Sequence, residues 1–321
     1  MSEPVLEVRD LVVEFRSEDG PLRAVDHVSF SVDRGEIVGL VGESGAGKTL
    51  TSEAILGLIR CPPGRVEGEV RFRGLNLLAL DERTLASIRG KEIAMIFQNP
   101  GASLNPVFRV GDQLVETMAL HLGDGRKTLG RRAVEILAKV GIPSAAVRVR
   151  DYPHQFSGGM AQRVMIGMGV SCMPSLLVAD EPTTALDVTI QAQVLALIRQ
   201  LAREMGMAVL LVSHDLGIIS QMCHRVIVMY AGRIVEEAPI AGIFRAPAHP
   251  YTRALIACLP ELDGGGRLGA IPGVMPGLTA LPAGCRFHPR CALAERRCEV
   301  DEPALRPAGP QQIAACHLVG V

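Results

Sequence analysis

The octapeptide Gly42-Glu43-Ser44-Gly45-Ala46-Gly47-Lys48-Thr49 follows the apolar run Ile37-Val38-Gly39-Leu40-Val41. Its form is G-x-x-x-x-G-K-[ST], set between a predicted strand and a predicted helix. That context constrains the chain to an α/β fold built around a phosphate-binding loop. Glycines at 42, 45 and 47 let the backbone curl until successive N–H groups face one anion. The helix predicted from Thr49 to about Arg60 adds its positive N-terminal end. Lys48 can reach the β- and γ-phosphates of a nucleotide, and the Thr49 hydroxyl can ligate Mg²⁺. A glycine-rich turn with an incidental lysine would need neither flanking element.

A second constellation is Leu176-Leu177-Val178-Ala179-Asp180-Glu181. Four apolar residues ending in two carboxylates read as a buried strand whose C-terminal end meets a ligand. Asp180 can hold the Mg²⁺ shell, and Glu181 can polarise a water for attack on the γ-phosphate. Phosphoryl transfer asks mainly for positioning and charge neutralisation, so an acid, a metal and a lysine form a sufficient core. Alone, the pair would read as a strand ending in solvated acids. The phosphate loop upstream reverses that reading.

Between the two stands Phe156-Ser157-Gly158-Gly159-Met160-Ala161-Gln162-Arg163, which offers backbone N–H groups and a hydroxyl ahead of a helix-like stretch. Here the chain resembles the ATP-binding cassette (ABC) ATPases, whose signature motif is similar. The remaining motifs follow in the expected order. Gln98 in Ile96-Phe97-Gln98 resembles the Q-loop, Ala185-Leu186-Asp187 the D-loop, and His214 in Val212-Ser213-His214-Asp215 the switch histidine. The resemblance covers about residues 5–245. It implies a P-loop NTPase core of the ABC ATPase type, with an antiparallel β subdomain and a helical subdomain at about 99–160.

It also implies ATP hydrolysis. By resemblance Glu181, His214 and Gln98 are catalytic, and Thr49, Gln98 and Asp180 hold Mg²⁺. Nucleotide contacts are expected from Phe15, Gly42, Ser44, Gly45, Gly47, Lys48, Thr49, Gln98, Ser157, Gly159, Asp180 and Asp187. Phe15 is the candidate to stack on adenine, although an aromatic at a strand end otherwise reads as core or rim. Ser157 and Gly159 would cover ATP held on the loop of a second subunit, so that closure of the pair excludes water.

Composition bounds the alternatives. The chain has 321 residues and a formal net charge of −1, without the basic stripe that nucleic-acid binding leaves. Hydrophobic residues make up 48%, yet no apolar run reaches membrane-spanning length. The longest, Met165 to Ala179, is broken by Ser171, Pro174 and Ser175. Met1-Ser2-Glu3-Pro4 has neither a basic n-region nor an apolar h-region, so no signal peptide is expected. The expected location is the cytoplasmic face of the inner or plasma membrane, peripherally, with partner subunits supplying the spans. With no Trp and 3% aromatics, the core must rely on Leu, Val, Ile, Ala and Met.

Residues 5–15 and 24–32 alternate as antiparallel strands, with a turn at Ser17-Glu18-Asp19-Gly20-Pro21. Further strands are predicted near 70–72, 93–97, 209–213, 226–230 and 234–237. Residues 99–155 carry helical periodicity. Residues 190–205 place Ile190, Val194, Leu197, Ile198, Leu201 and Met205 on one helix face. The run of strand–helix units argues for a mainly parallel sheet with helices on both faces. From about 246, Pro and Gly become frequent, including Gly264-Gly265-Gly266. A separate, small irregular C-terminal extension over 246–321 is expected, after a nucleotide-binding domain over 1–245.

Four of the eight cysteines, Cys285, Cys291, Cys298 and Cys316, fall within the last forty residues with spacing C-x5-C-x6-C-x17-C. Disulfides do not persist in the cytosol, and so short a segment needs a staple. The residues leave tetrahedral Zn²⁺ and an iron–sulfur cluster both open, and His288 or His317 could replace a cysteine. Cys285-Arg286-Phe287-His288-Pro289-Arg290-Cys291 resembles the C-terminal extension of the dipeptide/oligopeptide permease ATPases, where such cysteines hold a [4Fe–4S] cluster in some members. That resemblance favours the cluster over zinc. Gln98-Asn99-Pro100-Gly101-Ala102-Ser103-Leu104-Asn105-Pro106 and His249-Pro250-Tyr251-Thr252-Arg253-Ala254-Leu255 resemble further segments of that subfamily. Cys61, Cys172, Cys223 and Cys258 read as small apolar residues.

The subfamily implies a subunit that powers import of di- or oligopeptides. Its partners would be a second ATPase subunit (a different homologous chain), two transmembrane permease subunits and an extracytoplasmic solute-binding protein, with no nucleic acid. Import of another solute, such as nickel or glutathione, is an alternative. So is a soluble ABC ATPase of DNA repair or translation, although such chains usually carry paired cassettes or long coiled coils. A dead cassette serving as a metal-bearing interaction module is opposed by intact Lys48, Asp180, Glu181 and His214.

Overall fold

The structure is a computed structural model that describes residues 4–18, 20–184, 186–259 and 270–319. Its contacts group the chain into two compact units. One comprises Met1–Val5, Asp33–Glu36 and Ala79–Leu210; the other comprises Leu6–Val32, Ile37–Leu78 and Leu211–Val321. The described residues after 246 therefore share a unit with the phosphate loop.

In the unit that holds the phosphate loop, Leu6–Ser17 pairs antiparallel with Gly20–Val32 on one edge and with Gly64–Phe72 on the other. Leu6 and Val8 are buried as the alternating pattern requires, but Leu11, Val12 and Val13 are buried in succession. A register shift between Val8 and Leu11, at Asp10 with φ 51°, breaks the alternation: a bulge adds one residue and moves the pattern along by one. The strands run almost to their tip, with Ser17 opposite Gly20. Asp19 of the expected turn lies outside the described residues.

The second sheet of this unit orders its strands as Arg306–Gly309, Gln312–Ala314, Arg233–Pro239, Arg225–Tyr230 and Ile37–Val41. Ile37–Val41 is buried throughout and runs parallel to Arg225–Tyr230. The three outer pairings are antiparallel, an antiparallel margin that the expectation of a mainly parallel sheet did not include. The physical cause is local. Ala231 and Gly232 both take positive φ, 45° and 86°, the conformation that closes a two-residue hairpin, and such a hairpin can join only antiparallel strands. Gln312–Ala314 then adds to the outer edge of Arg233–Pro239. Glu236, 0% exposed, fixes that edge. Its carboxylate accepts from the Ala248 N–H at 2.8 Å, the His249 N–H at 2.8 Å and the Gln312 side-chain amide at 2.7 Å. Gly264-Gly265-Gly266 lies outside the described residues.

In the other unit, Ile93–Ile96 pairs in parallel with Leu176–Asp180, and Ala208 donates its N–H to the Ser175 carbonyl at 2.9 Å. The helical segment resolves into Pro100–Ser103, Val110–Ala119, Arg126–Lys139 and Ala145–Arg148. Arg126–Lys139 buries Leu129, Ala133 and Leu137, one residue per turn on a single stripe. Val188–Met205 buries Val194, Leu197, Ile198 and Leu201, as its periodicity predicts, and ends at Gly206 in the left-handed conformation (φ 61°). Among the described residues, no helix is long and apolar enough to cross a membrane.

Candidate nucleotide site and cysteine cavity

Ile37–Val41 delivers the chain into the phosphate loop, and the helix Lys48–Ile55 takes it up. That helix is shorter than predicted, because Gly57 turns the chain at φ 63°. Gly47 caps it with φ 101°. A Cβ there would stand 2.6 Å from the Ala24 carbonyl oxygen, so both the backbone angle and the space demand glycine. Gly45 is likewise left-handed at φ 83°. Lys48 is 5% exposed, and its ammonium donates to the carbonyls of Gly42 at 2.8 Å and Glu43 at 3.0 Å. A cation is thus folded into the curl of the loop. Ser44, Gly45 and Thr49 are exposed, open to a ligand. Phe15 is half-buried, with its ring edge against Gly64.

His214, in the same unit, is exposed at a corner that is pinned twice. Asp215 donates its N–H to the Ser213 hydroxyl at 3.0 Å, and its own carboxylate caps Leu216–Met222 by accepting from Gly217 at 2.7 Å.

The acidic pair lies in the other unit. Asp180 ends the buried strand Leu176–Asp180 and is 3% exposed. Glu181 takes a left-handed backbone with φ 45°, costly for a residue with a Cβ. Its carboxylate oxygen Oε2 accepts from the Gln98 side-chain amide at 3.0 Å and from the Thr184 hydroxyl at 2.8 Å. Residues 83 apart in sequence, both singled out as catalytic, therefore meet. Thr184 was not foreseen, although its position three residues after Glu181 allows a local side-chain bond.

Ser157 caps Gly158–Val170 through its hydroxyl, which accepts from Met160 N–H at 3.4 Å. Both Ser157 and Gly158 are exposed. A Cβ at Gly159 would stand 2.6 Å from Ile190 Cγ2, so glycine permits the close packing of this helix on Val188–Met205. Asp187 is exposed and caps the latter helix by accepting from Ile190 N–H at 3.0 Å. Ala185 of the expected D-loop lies outside the described residues.

The extension reaches the phosphate loop in a way sequence reasoning missed. Glu43 donates its N–H to the Tyr251 hydroxyl at 2.9 Å, and its carboxylate accepts from Arg290 at 2.9 Å. These partners are 208 and 247 residues from Glu43, too far apart for any local pattern to announce them. Tyr251, Tyr230 and Phe287 stack edge-on behind the loop with ring centroids 4.7–5.4 Å apart.

Cys285, Cys291, Cys298 and Cys316 line one cavity, together with His249 and Phe287. Burial pushes the Cys285 thiol up to about 11, and the other three cysteines add to the rise. Cys291 and Cys316 are raised in the same sense, by burial first. Such thiols give up their protons only to a strongly positive partner. His288 and His317 turn a ring nitrogen to the carbonyls of Cys285, at 2.9 Å, and Asp301, at 2.8 Å. Among the described residues no group of three or more His, Cys, Asp or Glu side chains is arranged to hold a metal ion. The expected metal centre therefore meets a shared, thiol-lined cavity rather than a preassembled ligand set.

Comparison with known proteins follows these features closely. Residues 25–184 match the ABC transporter family, and residues 235–298 match the oligopeptide/dipeptide transporter C-terminal region. The chain is 49% identical over 315 residues to the dipeptide transport ATP-binding protein DppD of Escherichia coli (strain K12), covering 98% of this chain and 96% of the relative. It is 45% identical over 313 residues to the oligopeptide transport ATP-binding protein OppD of Salmonella typhimurium, covering 97% and 93%. Among solved structures, it superposes with a TM-score of 0.66 at 25% identity on the dimeric, ADP- and Pi-bound post-hydrolysis state of the ATP-binding cassette MJ0796, covering 73% of this chain and 98% of that one. For cbiO1 from Clostridium perfringens the TM-score is 0.65 at 22% identity, covering 76% and 92%.

Proposed function

This chain belongs to the ATP-binding subunits of the dipeptide and oligopeptide ABC transporters, and from that premise we propose that it hydrolyses ATP to drive uptake of short peptides. The observation that carries the reading is the Glu181 carboxylate held by Gln98 and Thr184 on a strained backbone. A carboxylate oriented by two donors is suited to take a proton from an attacking water. Lys48 and the N–H groups of the Gly42–Thr49 loop neutralise the phosphates, with Ser44, Gly45 and Gly47 allowing close backbone approach. Thr49, Asp180 and Gln98 would hold Mg²⁺, and their hard oxygen donors suit it; the ion would neutralise charge on the transferring phosphoryl group. His214 contacts the γ-phosphate, and Phe15 stacks on adenine.

Ser157, Gly159 and Asp187 face the ATP of a second ATPase subunit. The exposure of Ser157 and Asp187 at two helix N-termini supports that role. Gln98, at the start of the helical segment, couples hydrolysis to two permease subunits, while an extracytoplasmic binding protein delivers the peptide. The chain works peripherally on the cytoplasmic face of the membrane. We assign 1–245 to the cassette and 246–321 to the transporter-type extension, and we assign a [4Fe–4S] cluster to Cys285, Cys291, Cys298 and Cys316. Four cysteines lining one cavity, Cys298 and Cys316 buried and Cys285 and Cys291 half-buried, support a thiolate-held centre, and the likeness to the transporter-type extension favours the cluster over Zn²⁺.

The test is transport by the assembled complex in proteoliposomes. ATP-dependent dipeptide uptake and phosphate release are expected together. Lys48→Ala should abolish both, and uptake that survives it would reject the reading.

A further inference from the structure

The C-terminal extension touches the phosphate loop, and Arg290 makes its ionic contact there. Its guanidinium is 6% exposed, and its donors are committed in several directions. It donates to Glu43 Oε2 at 2.9 Å, the Tyr230 hydroxyl at 3.3 Å and the Pro272 carbonyl at 2.8 Å. It also stands 5.8 Å from the centre of the Tyr230 ring. A planar cation with donors fixed in a fork is held rigidly by such a set.

Glu43 lies inside the loop, between Gly42 and Ser44, so the segment whose backbone curls for phosphate itself carries a carboxylate. Its other oxygen, Oε1, is buried without a hydrogen-bond partner, so Arg290 carries the hydrogen bond to this group. Two further contacts come from the same extension. The Tyr251 hydroxyl accepts the Glu43 N–H, and the methyl of Met275 would be 2.9 Å from a Cβ at Gly45.

We propose that Arg290 is a positioning residue for ATP binding, acting through Glu43: it neutralises the carboxylate in the phosphate loop and holds the loop in its phosphate-receptive curl. Like charges at close range oppose binding, so a Glu43 released from Arg290 would repel the triphosphate and loosen the backbone that must receive it. A residue in the extension thereby governs how tightly the loop holds nucleotide. This inference rests on reading Gly42–Thr49 as the ATP site.

The experiment titrates the full-length chain with a fluorescent ATP analogue in the presence of Mg²⁺, with thermal melts recorded in parallel. Arg290→Ala is expected to raise the Kd about tenfold, the effect of losing a hydrogen bond to a charged group. Glu43→Gln should bind at least as tightly as the parent, because the repulsive charge is gone while Arg290 remains. The double variant Glu43→Gln/Arg290→Ala should recover most of the loss, because nothing is left to neutralise. A merely structural Arg290 would show no such recovery. If Arg290→Ala does not fold, Arg290→Gln, which keeps a donor for Pro272, is read in the same way. Unchanged Kd in the Arg290 variants, with Lys48→Ala abolishing binding, overturns the inference and leaves the ATP site standing. Weakening that Glu43→Gln fails to rescue also overturns it. Full binding by Lys48→Ala overturns both the site and the inference.

Discussion

The carboxylate of Glu181 is held by two donors while its backbone sits at φ 45°. An unconstrained glutamate would relax from both, so the arrangement marks a side chain whose direction matters more than its comfort. Glu181→Gln should keep ATP affinity and lower phosphate release by about a hundredfold or more, because an amide cannot take a proton from water. Equilibrium binding beside single-turnover hydrolysis checks this, and a variant with ordinary turnover would remove Glu181 from its role. At this scale the sequence was most readable. Lys48, Asp180 and Glu181 stand in local patterns whose neighbours suggest their chemistry, and Gln98 in one that a family resemblance supplies. Thr184, Tyr251 and Arg290 do not, because their meaning comes from partners that the fold supplies.

Among elements, the helix Pro250–Ala257 shows how a buried cap ties folding to pH. His249 Nδ1 accepts the Tyr251 N–H at 3.0 Å, and burial holds the imidazole down to about 3 from its ordinary value of 6.5. The folded cap stays neutral while the unfolded chain takes up a proton near 6.5. The unfolded state therefore binds more protons between these values, and stability is full above about pH 6.5 and lost progressively as pH falls toward 3. His249→Asn keeps a capping acceptor without the titration. Its urea stability should fall less steeply between pH 6.5 and 5, by up to about 1.4 kcal/mol per pH unit. Equal slopes for parent and variant would dismiss the cap as the cause. Elements with clean periodicity, such as Val188–Met205, were predictable to within two residues. The antiparallel edge was not, since the hairpin depends on positive φ at Ala231 as well as Gly232, and alanine gives no such signal.

At the scale of the whole molecule, two kinds of chemistry share one compact unit, the phosphate loop and the thiol-lined cavity. Chain purified without oxygen is expected to be brown, with visible absorption that Cys291→Ser and Cys316→Ser each remove. A colourless protein carrying one zinc would favour the other metal. The composition shift near 246 was visible in the sequence, but the return of Gln312–Ala314 to the sheet was not. Three residues carry too little pattern to reveal a strand, and their partner lies on Arg233–Pro239.

The buried carboxylate of Glu236 ties that return strand and the start of Pro250–Ala257 to a single point. Cutting the protein at the compositional border would strip this carboxylate of three neutral donors and bare the row of N–H and C=O groups on Arg233–Pro239. An uncovered strand margin of that kind invites a neighbouring chain to dock there. The tail thus doubles as a hem that keeps one cassette from fraying into the next.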